Sequence, residues 1–439
     1  MRLIRSAFMR RHADLRRREA QRASAEHARR REGRPHEVLY FHQVDDPYSQ
    51  LAVQAIAPLL DRYAVQLIPK VVAQPTPIAI HEQQLWDEWA RRECAAMAPF
   101  YSLTFQAAAA DAPTLALARH LALALNEPRA FAQQAMAINA ALAEGSLAKL
   151  QGLAAAAAPP TEAVADAALV TNFALRHRLG HYLGGMFYYA GEWYWGVDRL
   201  HYLEARLDAL GARRADAPGG LSAPLRRSSK PVLGSTAPRL RLEFFPSLRS
   251  PYTHLAYARV AALCQDYPLD LVVRPVLPMM MRGVKADRRK GAYIIQDTAR
   301  EAERLGISFG KIWDPFGKPV LRGYSLFPWA QAEGRGFEYL HSFSEAVWGE
   351  GMNAYAETGL QMVVERAGLN WTLARTRLDN RDWKAGMESN VQDMIAAGSW
   401  GVPTLRLTGG DEAEAFTVWG QDRIWLIEEE VIRRLGKAA

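Results

Sequence analysis

Cysteine is almost missing from this chain of 439 residues: there are two, Cys94 and Cys264, far apart in sequence. That excludes a disulfide scaffold, a zinc ribbon and any Cys-x-x-Cys redox centre. Both cysteines stand in helical, apolar-flanked contexts and are expected to be buried free thiols. Long hydrophobic runs are missing too, and nothing approaches the roughly eighteen apolar residues of a membrane span. The start, Met1 to Arg11, lacks the apolar stretch of a secretory signal. The expectation is a soluble, cytoplasmic protein. Acidic residues are scarce only at the N-terminus, where residues 1–34 hold twelve arginines against Asp14, Glu19, Glu26 and Glu32, a net of +8. The whole chain carries +7, so the body is close to neutral and a nucleic-acid-binding body is not expected. What is abundant is apolar: 49% hydrophobic against 23% charged residues. That is too much for disorder and enough for two cored domains of roughly 200 residues.

Residues 1–35 read as a basic tail. No glycine precedes Gly33 and no proline precedes Pro35, so a solvated helix is compatible with them. The blocks Arg16–Arg18 and Arg29–Arg31 leave little apolar surface to dock. A mobile, solubilising extension is expected, with an electrostatic arm for an acidic partner, nucleic acid or anionic membrane as the functional alternative.

The chain contains a repeat. Val38-Leu-Tyr-Phe-His-Gln-Val-Asp-Asp-Pro-Tyr-Ser-Gln-Leu-Ala aligns without a gap, at an offset of 204, with Leu242-Glu-Phe-Phe-Pro-Ser-Leu-Arg-Ser-Pro-Tyr-Thr-His-Leu-Ala. Each is a short apolar strand, a turn, then Pro-Tyr opening an apolar-periodic helix. Further on, Trp195-Gly-Val-Asp-Arg-Leu answers Trp419-Gly-Gln-Asp-Arg-Ile. The Gly-, Pro- and Ser-rich stretch 212–237 reads as a linker, giving domains at 36–211 and 238–439. In the second, strands are expected at Leu240–Phe245, Leu269–Pro275, Thr404–Leu407 and Phe416–Trp419. Helices are expected at Pro251–Gln265, Tyr293–Leu305, Glu338–Trp348, Tyr355–Ala367, Asp382–Ala397 and Asp422–Leu435. The fold class is α/β: two tandem thioredoxin-like domains, each with a helical insertion between β-α-β and β-β-α halves.

The second unit resembles the DsbA-like thioredoxin superfamily, in the branch of 2-hydroxychromene-2-carboxylate isomerases and kappa-class glutathione transferases. The residues that carry this are Ser250-Pro251-Tyr252, Arg274-Pro275-Val276-Leu277, Trp348-Gly-Glu-Gly, Gly401-Val402-Pro403-Thr404 and Trp419-Gly420-Gln421-Asp422-Arg423. They span essentially the whole unit in family order. The resemblance implies glutathione as cofactor. Ser250, the N-cap before Pro251, would hold its thiolate, since a hydroxyl at a positive helix end favours the ionised sulfur. Val402 and Pro403 would form a cis-proline loop pairing with the cysteinyl backbone of glutathione. Gln421 and Asp422 would meet its γ-glutamyl ammonium group, although Asp422 is equally a helix cap. Lys285 would meet a glutathione carboxylate, against the alternative of a solvated basic loop over Arg282–Lys290. Met279–Met281 and Trp400 would line an apolar pocket for an electrophilic aromatic or unsaturated keto-acid substrate. Two departures stand out. His254 replaces an aromatic or aliphatic residue and reads as a packed helix-face histidine rather than a general base. Tyr324–Trp329 replaces a polar Asn-Thr segment, which puts the isomerase substrate in doubt.

The first unit resembles the family only at its ends. Asp46 stands at the position of Ser250 and would repel a thiolate, and Gly185 falls near the position of Pro403. A degenerate copy kept for packing against its partner domain is expected. His177 and His181, four apart, lack a third ligand at a matching spacing, so no metal site is expected. Two functional readings follow for the chain: a glutathione-dependent isomerase or transferase, or a non-catalytic DsbA-like binding module.

Overall fold

The structure is a computed structural model describing residues 2–75, 82–108, 110–225, 239–284, 288–410 and 412–436. The chain divides into two compact units, Arg18–Arg226 and Met1–Arg17 with Arg227–Ala439. The second part of the expected linker, from residue 226 on, lies outside the described residues.

The first unit is built on strands β1 (His36–His42), β2 (Val65–Val71), β3 (Met186–Tyr189) and β4 (Glu192–Trp195), in sheet order β2-β1-β3-β4. The second is built on β5 (Leu240–Phe245), β6 (Leu269–Val273), β7 (Thr404–Gly409) and β8 (Glu412–Trp419), in order β6-β5-β7-β8. In each sheet the first two strands are parallel and the remaining pairs antiparallel. The long segment between the second and third strands is helical in both, for example Gln83–Met97 and Pro128–Ala143 in the first unit. A mixed α/β fold with two four-stranded sheets is therefore present.

Register relates the two units residue by residue. Phe41 pairs with Met186 and Phe245 with Thr404. The residue before each partner is Gly185 in one unit and Pro403 in the other. Gly185 has φ +61°, and a Cβ there would lie 3.1 Å from the backbone of Tyr48 and Ser49. A residue without a side chain is what that close approach and left-handed backbone require.

Element boundaries follow the sequence reading with local shifts. The helix expected from Tyr293 starts at Arg288, so part of the basic stretch after β6 is helical rather than loop. The helix expected over Glu338–Trp348 is Gly336–Ser344 followed by a π-helical turn, Glu345–Gly349. Cys94 is buried, but Cys264 is only partly so; burial still pushes its thiol up to about 11.

The tail is where the structure departs most from expectation. Residues Arg2–Ala13 form helix α1 and Leu15–Arg31 form helix α2. Helix α1 belongs to the second unit, where Ser6 is fully buried and accepts from the Asp314 N–H at 2.9 Å. Arg5 reaches the Asp314 carboxylate at 2.7 Å and Arg10 the Ile312 carbonyl at 2.9 Å. Most of helix α2 belongs to the first unit, where Arg22 makes a two-pronged contact with Glu192. Arginine-rich sequence with little apolar surface docks here because buried carboxylates and carbonyls supply charge-assisted partners. No helix among the described residues is long and apolar enough to cross a membrane.

Candidate functional site

The site expected in the second unit sits where β5 ends. Its carbonyl end leads through Pro246–Arg249 into helix α3 (Pro251–Asp266). Ser250 has extended backbone, φ −105° and ψ 116°, and its Oγ accepts from the Thr253 N–H at 3.1 Å. Proline at the first helical position needs no N–H partner, so Ser-Pro fixes this start locally. The Ser250 hydroxyl also donates to the Val402 carbonyl over a long 3.4 Å. The Val402–Pro403 peptide bond is cis. Ser250, Val402 and Pro403 are thus brought together from opposite ends of the unit. Val402 packs beside the Phe245, Val276 and Met394 cluster that underlies the turn.

The turn is held from three directions. The Leu248 N–H donates to Tyr324 Oη at 3.1 Å, and that hydroxyl donates to the Val276 carbonyl at 2.9 Å. The Val276 N–H returns to the Pro246 carbonyl at 2.9 Å. Arg249, immediately before Ser250, donates to Asp314 at 2.8 Å. Gly401 passes under the Trp419 indole so closely that a Cβ would lie 2.2 Å from the ring. Trp400 packs against the same indole with centroids 4.7 Å apart, and its carbonyl accepts from Arg282 at 2.9 Å. Met280 is exposed, and its sulfur accepts from Arg249 at 3.3 Å.

Tyr324 yields a direct prediction. Tyr324→Phe leaves the buried Leu248 N–H and Val276 carbonyl without that partner, at an expected cost of about 2 kcal/mol in the second unit's stability. Amide hydrogen exchange of Leu248 should quicken in step. An unfolding midpoint and Leu248 exchange both matching wild type would show that the hydroxyl does not hold the turn.

The other expected residues fare differently. Gln421 is fully buried; its Nε2 donates to Glu301 at 2.8 Å, and its Oε1 accepts from Arg259 at 2.8 Å. This corrects the expectation that Gln421 faces a ligand, because its amide is committed inside the unit. Asp422 stays partly exposed in a 3₁₀ turn, Gln421–Arg423, with its carboxylate 3.3 Å from the Arg423 guanidinium. Lys285 lies outside the described residues. His254 is 2% exposed and donates from Nε2 to the Ser308 carbonyl at 2.8 Å. Burial lowers its pKa to about 4, although the Ser308 carbonyl opposes the shift; it is a packed, neutral histidine. Nothing in the spacing of Arg249, Asp314 and Tyr324 marks them as supports of the turn. The adjacency of Arg249 to Ser250 is the sequence signal that points to one of them.

In the first unit Asp46 caps the helix Pro47–Val53, its Oδ2 accepting from the Ser49 N–H at 2.9 Å and the Ser49 hydroxyl at 2.7 Å. Burial pushes Asp46 up to about 6, opposed by the Ser49 hydrogen bonds. His181 is buried, with Nδ1 accepting from the Leu183 N–H at 3.2 Å. No group of histidine, cysteine, aspartate or glutamate among the described residues is arranged to hold a metal ion.

With this geometry in hand, the similarities to known proteins are informative. Residues 241–431 match the family model of the DSBA-like thioredoxin domain. The chain is similar to 2-hydroxychromene-2-carboxylate isomerase of Pseudomonas putida, 26% identical over 200 residues that cover 44% of this chain and 94% of the relative. Among solved structures it is similar to a 2-hydroxychromene-2-carboxylate isomerase, at 25% identity, 44% and 95% coverage and TM-score 0.37. It is also similar to the cytosolic disulfide reductase DsbM of Pseudomonas aeruginosa with GSH, at 20% identity, 44% and 100% coverage and TM-score 0.35. The family-model match takes in Ser250 and the Val402–Pro403 turn, so residues 241–431 form a DsbA-like thioredoxin domain, and the chain shows homology to 2-hydroxychromene-2-carboxylate isomerase.

Proposed function

We propose that the second unit is a glutathione-dependent isomerase or transferase for an electrophilic aromatic or unsaturated keto-acid substrate. The observation that carries this reading is the convergence of the Ser250 hydroxyl, at the N-terminus of a 16-residue helix, on the Val402 turn, in a domain with no Cys-x-x-Cys. When bound, glutathione would supply the nucleophilic thiol at a helix start where this chain carries Ser250 instead of cysteine.

The residues fit such a ligand. Oriented amides and a helix N-terminus favour a thiolate over a thiol. The Ser250 hydroxyl, whose bond to Val402 is long, can turn to donate to that sulfur. The arginine beside it, Arg249, is held on Asp314 and adds positive charge at the same end of the helix. Val402, half-buried beside Pro403, presents backbone suited to pairing with an extended peptide. Asp422, with part of its carboxylate exposed, would take the ligand's ammonium group. The name of the isomerase relative supports a bicyclic or keto-acid substrate. The sequence replacing the polar segment, Tyr324–Trp329, leaves room for a different electrophile.

Calorimetric titration of the full chain with reduced glutathione tests this reading. Binding is expected in the micromolar to millimolar range and should weaken about tenfold in Asp422→Ala, as loss of a charged hydrogen bond implies. In Ser250→Ala, the ultraviolet thiolate absorbance of bound glutathione should titrate about one unit higher. Absence of binding heat would sink the reading. A thiol titration unchanged by Ser250→Ala would remove Ser250 from it.

A further inference from the structure

The first unit carries its own cleft, at the end of β1 where Asp46 stands. It encloses a cavity of about 210 Å³ bordered by Asp45, Asp46, Asp87, Arg91, Phe105 and Asn139, among others. That is below the roughly 300–1,000 Å³ of pockets for drug-sized ligands, so a smaller molecule fits.

Two polar atoms of this lining are buried without a partner among the described residues. Asn139 is 5% exposed and its Nδ2, a donor, has no acceptor. Asp45 uses Oδ2 to accept from Gln74 at 2.7 Å and to pair with Arg119 at 3.3 Å, while its Oδ1 has no donor. Orphaned buried groups of this kind are costly, and each calls for a partner. One missing acceptor and one missing donor call for a ligand with both.

The charges narrow the class. Three carboxylates, Asp45, Asp46 and Asp87, border the cavity. Each has a guanidinium within electrostatic reach: Arg119 at Asp45, Arg176 at Asp46 and Arg91 at Asp87. The surroundings are balanced, and a ligand of one net charge would leave an unpaired charge in a confined, partly desolvated space. We infer that the first unit binds a small zwitterion of the free amino-acid class, its ammonium group on Asp45 Oδ1 and its carboxylate on Asn139 Nδ2. This makes the first unit a binding domain rather than a degenerate copy retained for packing, and it does not depend on the role given to Ser250.

The test is calorimetric titration of the full chain with glycine, L-alanine and L-serine singly, followed by analogues lacking one end, glycinamide and acetate. At least one amino acid should bind, and both analogues should bind about tenfold more weakly or not at all. Asn139→Leu and Asp45→Asn should each weaken the amino acid about tenfold, with circular dichroism checking that each variant is folded. Asp45, whose side chain is 11% exposed, serves as the readout if Asn139→Leu fails to fold. Three results overturn the inference: no amino acid binds, a single-charge analogue binds as tightly, or a folded variant binds as wild type does.

Discussion

Replacing Asp314 with alanine is expected to destabilise the second unit by about 3 kcal/mol. Its carboxylate is fully buried, with Arg5 Nε at 2.7 Å on one oxygen and Arg249 Nε at 2.8 Å on the other. Both guanidiniums lie over the Phe316 ring, with centroid distances of 4.8 and 4.9 Å. Removing the carboxylate leaves two like charges facing each other with no counter-charge between them. Arg249, whose side chain is 13% exposed, bears most of that penalty. Arg5, at 35%, keeps some solvent and its share is smaller. Urea denaturation should show a lower midpoint with an unchanged slope. Arg5→Ala alone should cost about 1 kcal/mol. A change below about half a kcal/mol in Asp314→Ala would mean that the two arginines are sufficiently solvated without it. The functional consequence lies one residue on. Because Arg249 adjoins Ser250, the N-terminal helix α1 is coupled through Asp314 to the turn that carries the proposed site.

Acid should destabilise the second unit through His254. Its pKa is lowered to about 4 by burial against an ordinary value of 6.5. The unfolded chain therefore binds the proton first as pH falls, and stability contributed by the neutral ring is present above about pH 6.5 and lost progressively down to about pH 4. A shift of this size corresponds to about 3 kcal/mol. The mechanism is specific: Nε2 carries the proton donated to Ser308, so charging the ring places a second proton on Nδ1, which is buried with no acceptor among the described residues. His254→Phe should flatten the pH dependence of the second unit's urea midpoint between pH 7 and 4.5. An equally steep dependence in His254→Phe would assign the acid sensitivity elsewhere. Asp46 works in the opposite sense in the first unit. Raised to about 6 from 3.8, it favours the protonated folded state, so its contribution falls as pH rises through the window between those values.

The features legible in the sequence are those whose cause is local. Ser-Pro and Asp-Pro after a short apolar strand specify a capped helix start from neighbouring residues alone, and Ser250 and Asp46 both cap as their types dictate. The gap-free offset carried these starts from one unit to the other, and the registers of β1 with β3 and of β5 with β7 make Gly185 the counterpart of Pro403. Hydrophobic period located the strands and helices to within a few residues. The features that remained hidden have partners hundreds of positions away. Gln421 reads as a ligand contact beside Asp422, yet Arg259 and Glu301 draw its amide inward. The arginine-rich start reads as an undocked tail, yet Arg5 meets a buried carboxylate 309 positions on. Composition and spacing determined by themselves that this chain has two α/β units and no redox dithiol. Which polar groups are buried with partners, and which are left facing a cavity as Asn139 is, only the tertiary structure decided, because the cost of burying a charge or an amide depends on what stands beside it in space.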